Sequence, residues 1–203
     1  MDDEQSRTDD ELPASALSDV TFAVVDVETT GFDPDNERIL QVAAVVVDGQ
    51  GNLVESFDTV VRPENPEEYR HGAEHIHGIS EDDVAHGMPL RQALEKVWGM
   101  SEGRLFTAHN ARFDIGFLHA ESARVGIEKR VDRYVDTLEL ARMADRERTR
   151  KHTLSALCDH YGIEIGRAHE ALADATATAR LLFRLLDDVG VESADQLPEL
   201  GSP

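Results

Sequence analysis

The segment from Phe22 to Gly31 limits most strongly what this chain can fold into. Four β-forming residues lead into two acids, Asp26 and Glu28, and Thr29-Thr30-Gly31 then interrupts the pattern. Alternate side chains of a β-strand lie on one face, so Asp26 and Glu28 are expected to project together. Such paired carboxylates suit a hard divalent cation, Mg²⁺ or Mn²⁺. Taken alone, the segment is equally consistent with a strand that ends in an acidic turn.

The composition is that of a soluble globular protein. The chain has 203 residues, of which 40% are hydrophobic and 30% are charged, and Cys158 is its one cysteine. No apolar run approaches the length of a membrane span and the N-terminus is unlike a signal peptide, so a cytoplasmic location and no membrane partner are expected. The net charge of −21 argues against tight non-specific binding to duplex nucleic acid, but not against a metal-centred site.

The order of the secondary-structure signals predicts the fold class. Apolar β-forming runs with short turns predict three antiparallel strands at 21–27, 39–47 and 53–61. Helical spacing then alternates with two further strand signals, and the longest helix is expected over 170–187. The pattern predicts an α/β fold in which a mixed sheet, an antiparallel meander plus parallel strands, is flanked by helices. We expect one domain over 20–190, with an acidic tail at 1–19 and a C-terminal tail at 191–203.

Two later motifs contain further acids. The sequence N-A-R-F-D places Asp114 in the first turn of a predicted helix, directly after a predicted strand. The sequence H-E-A-L-A-D places His169 at the entry of the longest helix and Asp174 inside it, among small residues. Each motif alone has a structural interpretation that is about as good: an acid at a helix start, or the ordinary charges of a surface helix.

Taken together, V-V-D-V-E-T-T-G, N-A-R-F-D and H-E-A-L-A-D resemble, in order, the three sequence blocks of the DEDDh 3′→5′ exonucleases. That superfamily includes the proofreading epsilon subunit of DNA polymerase III, ribonuclease T and oligoribonuclease, and the first block is most similar to the epsilon and ribonuclease T branch. The resemblance covers essentially the whole predicted domain. It implies a ribonuclease H-like fold and an enzyme that releases nucleoside 5′-monophosphates from 3′ ends.

The resemblance also implies roles for five residues. Asp26 would bridge two divalent ions, Mg²⁺ or Mn²⁺, while Glu28 and Asp114 would complete one metal site and Asp174 the other. Two such ions can activate a water and stabilise the leaving 3′ oxygen. His169 would take the proton from the attacking water, a role that suits a side chain which titrates near neutral pH.

Five residues are candidates for contact with the substrate. The resemblance implies that backbone around Thr29 and Thr30 receives the terminal nucleotide and that His77 belongs to a histidine-glycine loop near the cleft. Phe32 and Phe113 could stack on bases, as aromatic residues do in single-strand binding. The alternatives are a core position for Phe113 and an ordinary loop histidine for His77.

An arginine-rich stretch is the last candidate. Arg142, Arg146 and Arg150 fall four residues apart, so they would line one face if the predicted helix continued through them. In so acidic a chain, this face is the best candidate for a phosphate-positioning patch. The alternative is a solvated face paired with Asp145 and Glu147.

The leading hypothesis is a 3′→5′ exonuclease on single-stranded DNA ends that serves proofreading or repair. The alternative within enzymes is trimming of RNA 3′ ends, because the motifs serve both and the choice depends on how the 2′-hydroxyl is received. A hypothesis of another class is an accessory module that binds a DNA polymerase. His109 and the Asp136-Thr137 pair are expected to be structural.

Overall fold

A computed structural model of the chain describes residues 16–65, 69–72, 74–166, 169–197 and 200–201. Within these ranges the strands are β1 Thr21–Thr29, β2 Ile39–Asp48, β3 Leu53–Arg62, β4 Met88–Pro89, β5 Leu105–Ala108, β6 Arg133–Asp136 and β7 Leu200–Gly201. The helices are α1 Glu74–His77, α2 Glu81–Ala85, α3 Leu90–Ser101, α4 Ala111–Arg124, α5 Thr137–Ala144, α6 Leu154–Tyr161 and α7 Ala171–Val189.

The described strands form one sheet in the order β4-β3-β2-β1-β5-β6-β7. β1, β2 and β3 pair antiparallel as a meander, whereas β5 lies parallel to β1 and β6 lies parallel to β5. The predicted mixed sheet flanked by helices is therefore confirmed. The long central strands agree with the prediction to within two residues at each end.

Alternation along β1 decides which layer each side chain enters. Val25 and Val27 pack in the core layer that includes residues of α3 and α4, whereas Phe22 and Val24 pack in the layer that includes residues of α5, α6 and α7. Asp26 and Glu28 have the parity of Phe22 and Val24, so the alternation directs them towards the α7 side of the sheet.

The chain ends differ from the expectation of two tails. Ala16 forms an isolated bridge with Ser193, and 3₁₀ turns occupy Leu17–Asp19 and Ala194–Gln196. β7 adds an antiparallel edge strand beside β6. The acidic stretch at 1–15, which belongs to the predicted N-terminal tail, lies outside the described residues. No helix in the described ranges is both long and apolar enough to cross a membrane.

Candidate active site

The carboxylates of Asp26 and Glu28 lie on the part of β1 that extends beyond its parallel neighbour, β5. β1 pairs with β5 only from Phe22 to Val24, so its last residues extend beyond the end of β5. After β5 the chain turns into α4, and the Val27 N–H donates to Asp114 Oδ1 at 3.2 Å. The short parallel pairing thus lets the start of α4 approach β1, which brings Asp114 close to Asp26 and Glu28.

The start of α7 supplies the fourth carboxylate and the histidine. The main-chain N–H of His169 donates to Asp174 Oδ2 at 3.2 Å, and His169 has a φ of 63°, in the left-handed region. Gln41, the β2 residue opposite Glu28, accepts the Ala171 N–H through Oε1 at 3.3 Å. Gln41 was missed by the sequence interpretation; its signal is a polar residue within an otherwise apolar strand.

Electrostatics show that these acids form one group. Burial raises the pKa of Asp26, and the neighbouring charges that raise it further are those of Asp114, Glu28 and Asp174. Burial and then Asp174 raise the pKa of Glu28 to about 7. The pKa values of Asp114 and Asp174 are also raised, in both cases mainly by burial. Among the described residues, the charged groups that raise the pKa of Asp26 are all carboxylates, so their mutual repulsion is not offset by a described basic side chain.

The donor atoms fit a hard divalent cation. Glu28, His169 and Asp174 each offer a ligand atom, and those atoms lie within 4.8 Å of one another. Mutually repelling carboxylates with raised pKa values are stabilised when a divalent ion takes up the charge. Carboxylate oxygen is the ligand type of Mg²⁺ and Mn²⁺, so the two carboxylates of this group, Glu28 and Asp174, agree with the expected metals, while His169 adds an imidazole nitrogen beside them.

The two threonines after Glu28 use their side chains within the turn itself. Thr29 Oγ1 donates to Gly31 O at 2.6 Å, and Thr30 Oγ1 accepts the Arg38 N–H at 2.9 Å and contacts Glu37. The Thr30 N–H is bonded to Arg38 O at 3.0 Å. These hydrogen bonds shape the turn and occupy the two threonine hydroxyls and the Thr30 N–H. Any contact of Thr29 and Thr30 with substrate would therefore use other backbone atoms.

Phe32 and Phe113 lie next to each other but differ in exposure. Phe32 is 89% exposed, whereas Phe113 is partly buried and packs against the core and against Phe117. The two rings meet edge to face with their centroids 6.3 Å apart. Phe113 therefore packs against the core, which was the alternative to base stacking. It also supports Phe32, whose large apolar ring faces solvent.

His77 is turned inward, contrary to the prediction of a substrate contact. It is 8% exposed, its Nε2 lies 2.8 Å from Gly72 O, and its Nδ1 accepts the Ile79 N–H at 3.0 Å. Both ring nitrogens are therefore engaged within the loop. A Cβ added at Gly72 would lie 2.9 Å from Thr30 O, so His77 secures a loop that packs closely on the turn after β1.

The arginine patch is not assembled as the spacing predicted. α5 ends at Ala144, because Asp145 accepts hydrogen bonds from the backbone N–H groups of Thr149 and Arg150 and folds the chain into a loop. Arg142 pairs with Glu139 inside α5, and Arg146 is exposed in the loop.

Arg150 makes its contacts with the loop after α5 and with α6, rather than with the acids at the end of β1. It lies 3.7 Å from Asp145 and beside Tyr161, whose hydroxyl donates to Asp188. Asp188 follows Asp174 by fourteen residues of α7, which corresponds to about 21 Å along the helix axis. The three arginines therefore do not share a face of one helix, and the helical patch that their spacing predicted does not form.

Asp136 anchors the helices that carry the site. Its carboxylate accepts the N–H groups of Asn110, Ala111 and Leu138 at 2.9, 3.1 and 2.9 Å. Asn110 precedes α4 but its side chain makes no capping bond, and the side chain of Asp136 accepts the N–H groups at this helix start instead. The expected structural role of Asp136 thus agrees with its contacts.

His109 is also enclosed. It lies 2.9 Å from Thr137 Oγ1 and 3.0 Å from His152 O, and burial lowers its pKa to about 4. A histidine that stays neutral and has both nitrogens engaged is structural, as expected from the sequence.

Comparison with known proteins identifies relatives by sequence. A family model described as "Exonuclease" (RNase_T) matches residues 23–182. DNA polymerase III PolC-type from Streptococcus sanguinis (strain SK36) is 36% identical over 173 residues, which cover 85% of this chain and 12% of that protein. The PolC-type polymerase of Streptococcus thermophilus (strain ATCC BAA-491 / LMD-9) is 35% identical over 185 residues, covering 89% and 12%. The chain thus spans about an eighth of the length of these curated relatives.

Solved structures share the fold. The nuclease domain of 3′hExo, a DEDDh family member, bound to rAMP, has a TM-score of 0.74 at 18% identity and covers 94% of this chain and 100% of that one. E. coli Exonuclease I in complex with a dT13 oligonucleotide has a TM-score of 0.67 at 22% identity, covering 82% and 41%. Exonuclease X in complex with 5′ overhanging duplex DNA has a TM-score of 0.62 at 26% identity, covering 87% and 96%.

Proposed function

The chain belongs to the exonuclease family, and from that premise we propose that it is a divalent-metal-dependent 3′→5′ exonuclease acting on single-stranded DNA ends. The family match confirms the resemblance to the DEDDh exonucleases and the expectation of a nuclease enzyme. The observation that carries the proposal is the convergence of Asp26, Glu28, Asp114 and Asp174, all with raised pKa values. Such perturbed groups are typical of functional sites.

In this proposal the four carboxylates hold two ions, Mg²⁺ or Mn²⁺. When bound, the ions supply the Lewis acidity that activates a water and stabilises the leaving 3′ oxygen. His169 accepts the proton of the attacking water on its ring, while its main-chain N–H fixes Asp174. The phosphodiester P–O3′ bond breaks as the bond from the water oxygen forms, and the leaving O3′ takes a proton from solvent, which gives a nucleoside 5′-monophosphate and a new 3′-hydroxyl.

The choice of DNA rests on the relatives, which are DNA polymerases of the PolC type. A DNA polymerase is accordingly the partner class that we propose, with proofreading or repair as the task. Phe32 is the proposed stacking surface for a base near the 3′ end, because it is exposed and supported from behind by Phe113.

The test is a time course on 5′-labelled single-stranded DNA and RNA of one sequence, with Mg²⁺ or EDTA, for the natural chain and Asp26→Ala. We expect stepwise shortening of DNA that is lost in EDTA and in the variant. Faster loss of RNA would support trimming of RNA ends instead. No cleavage by folded protein, together with binding to a DNA polymerase, would favour an accessory module.

A further inference from the structure

The loop that follows β1 carries the exposed Phe32. The hydrogen bonds inside this loop do not fix the position of Phe32 relative to α4. This exit loop, residues 30–38, has internal hydrogen bonds, such as those from the Asn36 and Glu37 N–H groups to Asp33 O at 3.1 and 2.8 Å. These bonds set the shape of the loop. They do not set its position relative to α4, the helix that carries Asp114 and Phe113.

Contacts with α4 set that position: Phe32 meets Phe113 edge to face, and Arg124, at the opposite end of α4 from Asp114, adds hydrogen bonds. Its Nη2 donates to Pro34 O at 2.8 Å and to Asp35 O at 2.7 Å, so one guanidinium nitrogen holds two successive carbonyls of the exit loop. The side chain is only 25% exposed, which limits competition from water. A planar guanidinium presents its donors in a fixed fork, so this contact defines direction as well as distance.

Glu121 holds the guanidinium and the end of the exit loop together. It is 1% exposed, and its Oε1 lies 3.5 Å from Arg124 Nη1 and accepts the Ile39 N–H at 3.2 Å. Burial raises the pKa of Glu121, and the charges of Arg124 and of Arg38 in the exit loop oppose that shift. The ion pair with Arg124 and the bond from the Ile39 N–H offset part of the cost of burying this carboxylate, although its Oε2 has no hydrogen-bond partner among the described residues.

We infer that Arg124, oriented by Glu121, is a positioning residue that fixes the exit loop on α4 and so places Phe32 for the substrate. One helix then carries both Asp114, near its start, and Arg124, at its end, ten residues and about 15 Å along the axis. The inference rests on the proposed function, because Phe32 must contact the substrate for its position to matter.

The test combines two substitutions, Glu121→Gln with Arg124→Ala. Gln keeps an acceptor for the Ile39 N–H and leaves no unpaired buried charge. Arg91→Ala is the matched control, because Arg91 also donates to a backbone carbonyl at the end of α4, that of Val125, but does not touch the exit loop. If the double variant fails to fold, Arg124→Lys takes its place in the test. Lysine keeps the positive charge beside Glu121 but lacks the planar set of guanidinium donors.

Two readouts separate this inference from the proposed function. Hydrogen–deuterium exchange of the amides in 30–38 should be faster in the double variant and unchanged in Arg91→Ala. The KM for a single-stranded DNA oligomer should rise about three- to ten-fold with little change in kcat, the range expected for ordering one side chain on binding. In a Phe32→Ala background the double variant should raise KM no further.

Unchanged exchange in the double variant would overturn the inference, whatever the activity. Faster exchange with an unchanged KM, or an equal further rise in KM in the Phe32→Ala background, would also overturn it while leaving the exonuclease intact. A natural chain that neither cuts nor binds the oligomer would contradict the proposed function itself, and the role of Phe32 with it.

Discussion

At the scale of the residue, His169 combines a strained backbone with a position beside a carboxylate. Its left-handed φ of 63° is costly for a residue with a Cβ, by about 1–2 kcal/mol. Strain of this kind persists where the surroundings impose it, and it is frequent at active sites. Here the hydrogen bond from the His169 N–H to Asp174 accompanies the conformation and keeps the histidine next to the acids.

Replacing His169 by alanine should lower the rate of cleavage by about 10²–10⁴, the usual contribution of a general base. Single-turnover cleavage of labelled DNA under saturating Mg²⁺ measures the effect. His86→Ala is the control, because the His86 side chain is 77% exposed and its ion pair and hydrogen bond are with Asp82 in its own helix turn. Full rate in His169→Ala would remove this residue from the mechanism.

The residues that sequence could predict are those whose role follows from local pattern. The alternation of side chains along a strand predicted that Asp26 and Glu28 share one face. The position of Asp114 just after a strand places it at the same edge of the sheet. His77 could not be predicted in the same way, because its contacts are with Gly72 and Ile79 in a loop that has no periodicity. Glu121 and Arg124 were missed because an acid and a base three residues apart usually form an ordinary pair on a helix surface.

At the scale of the element, Asp136 connects β6 with the starts of α4 and α5. Replacing it by alanine leaves three backbone N–H groups without their acceptor, which should lower the free energy of unfolding by about 2–4 kcal/mol. Because the start of α4 carries Asp114, the Mn²⁺ concentration needed for half-maximal cleavage should also rise. Thermal unfolding and a metal titration of activity measure the two effects.

Asp145→Ala is the matched control for Asp136→Ala. Asp145 also accepts several bonds, from Thr149, Arg150 and His152, but it organises a loop that carries no proposed metal ligand. Asp145→Ala should therefore lose stability without a change in the metal dependence. An equal shift of the metal dependence in both variants would show that Asp136 has no specific connection with the site.

The elements with strong periodicity were predictable, and their boundaries were less so where a distant side chain decides them. The N-A-R-F-D motif predicted a helix start just before Asp114, where α4 begins, but the cap of α4 comes from Asp136, which is remote in sequence. α5 ends at Ala144 because Asp145 accepts hydrogen bonds from the following backbone, so the helix does not continue through the arginines as the patch would have required.

At the scale of the whole molecule, the carboxylate cluster should oppose folding in the absence of metal. The raised pKa values mean that the folded state keeps these protons to higher pH than the unfolded chain does, for Glu28 up to about 7. The free energy of unfolding without metal should therefore fall as pH rises from about 4 through 7. His109, whose pKa is lowered to about 4, acts in the opposite sense, because its contribution is lost as pH falls below about 6.5.

The difference in stability with and without Mg²⁺ separates the two effects, because His109 contributes equally to both conditions. That difference should widen between pH 5 and 8 as the carboxylates become free to bind the ion. Chemical denaturation at several pH values, in EDTA and in Mg²⁺, measures it. A difference that is independent of pH would mean that the acids are not the metal ligands.

The most direct test of the account is the pair of unfolding temperatures of the natural chain and Asp26→Asn, each measured in EDTA and in Mn²⁺ alongside cleavage. Asp26→Asn should unfold at a higher temperature than the natural chain in EDTA, because one repelling charge is gone. Its unfolding temperature should rise little with Mn²⁺, and it should not cut DNA. Asp58→Asn, an exposed acid of β3, should behave as the natural chain does. If Asp26→Asn is less stable in EDTA, or cuts at the full rate, the acids are not a metal-dependent active site.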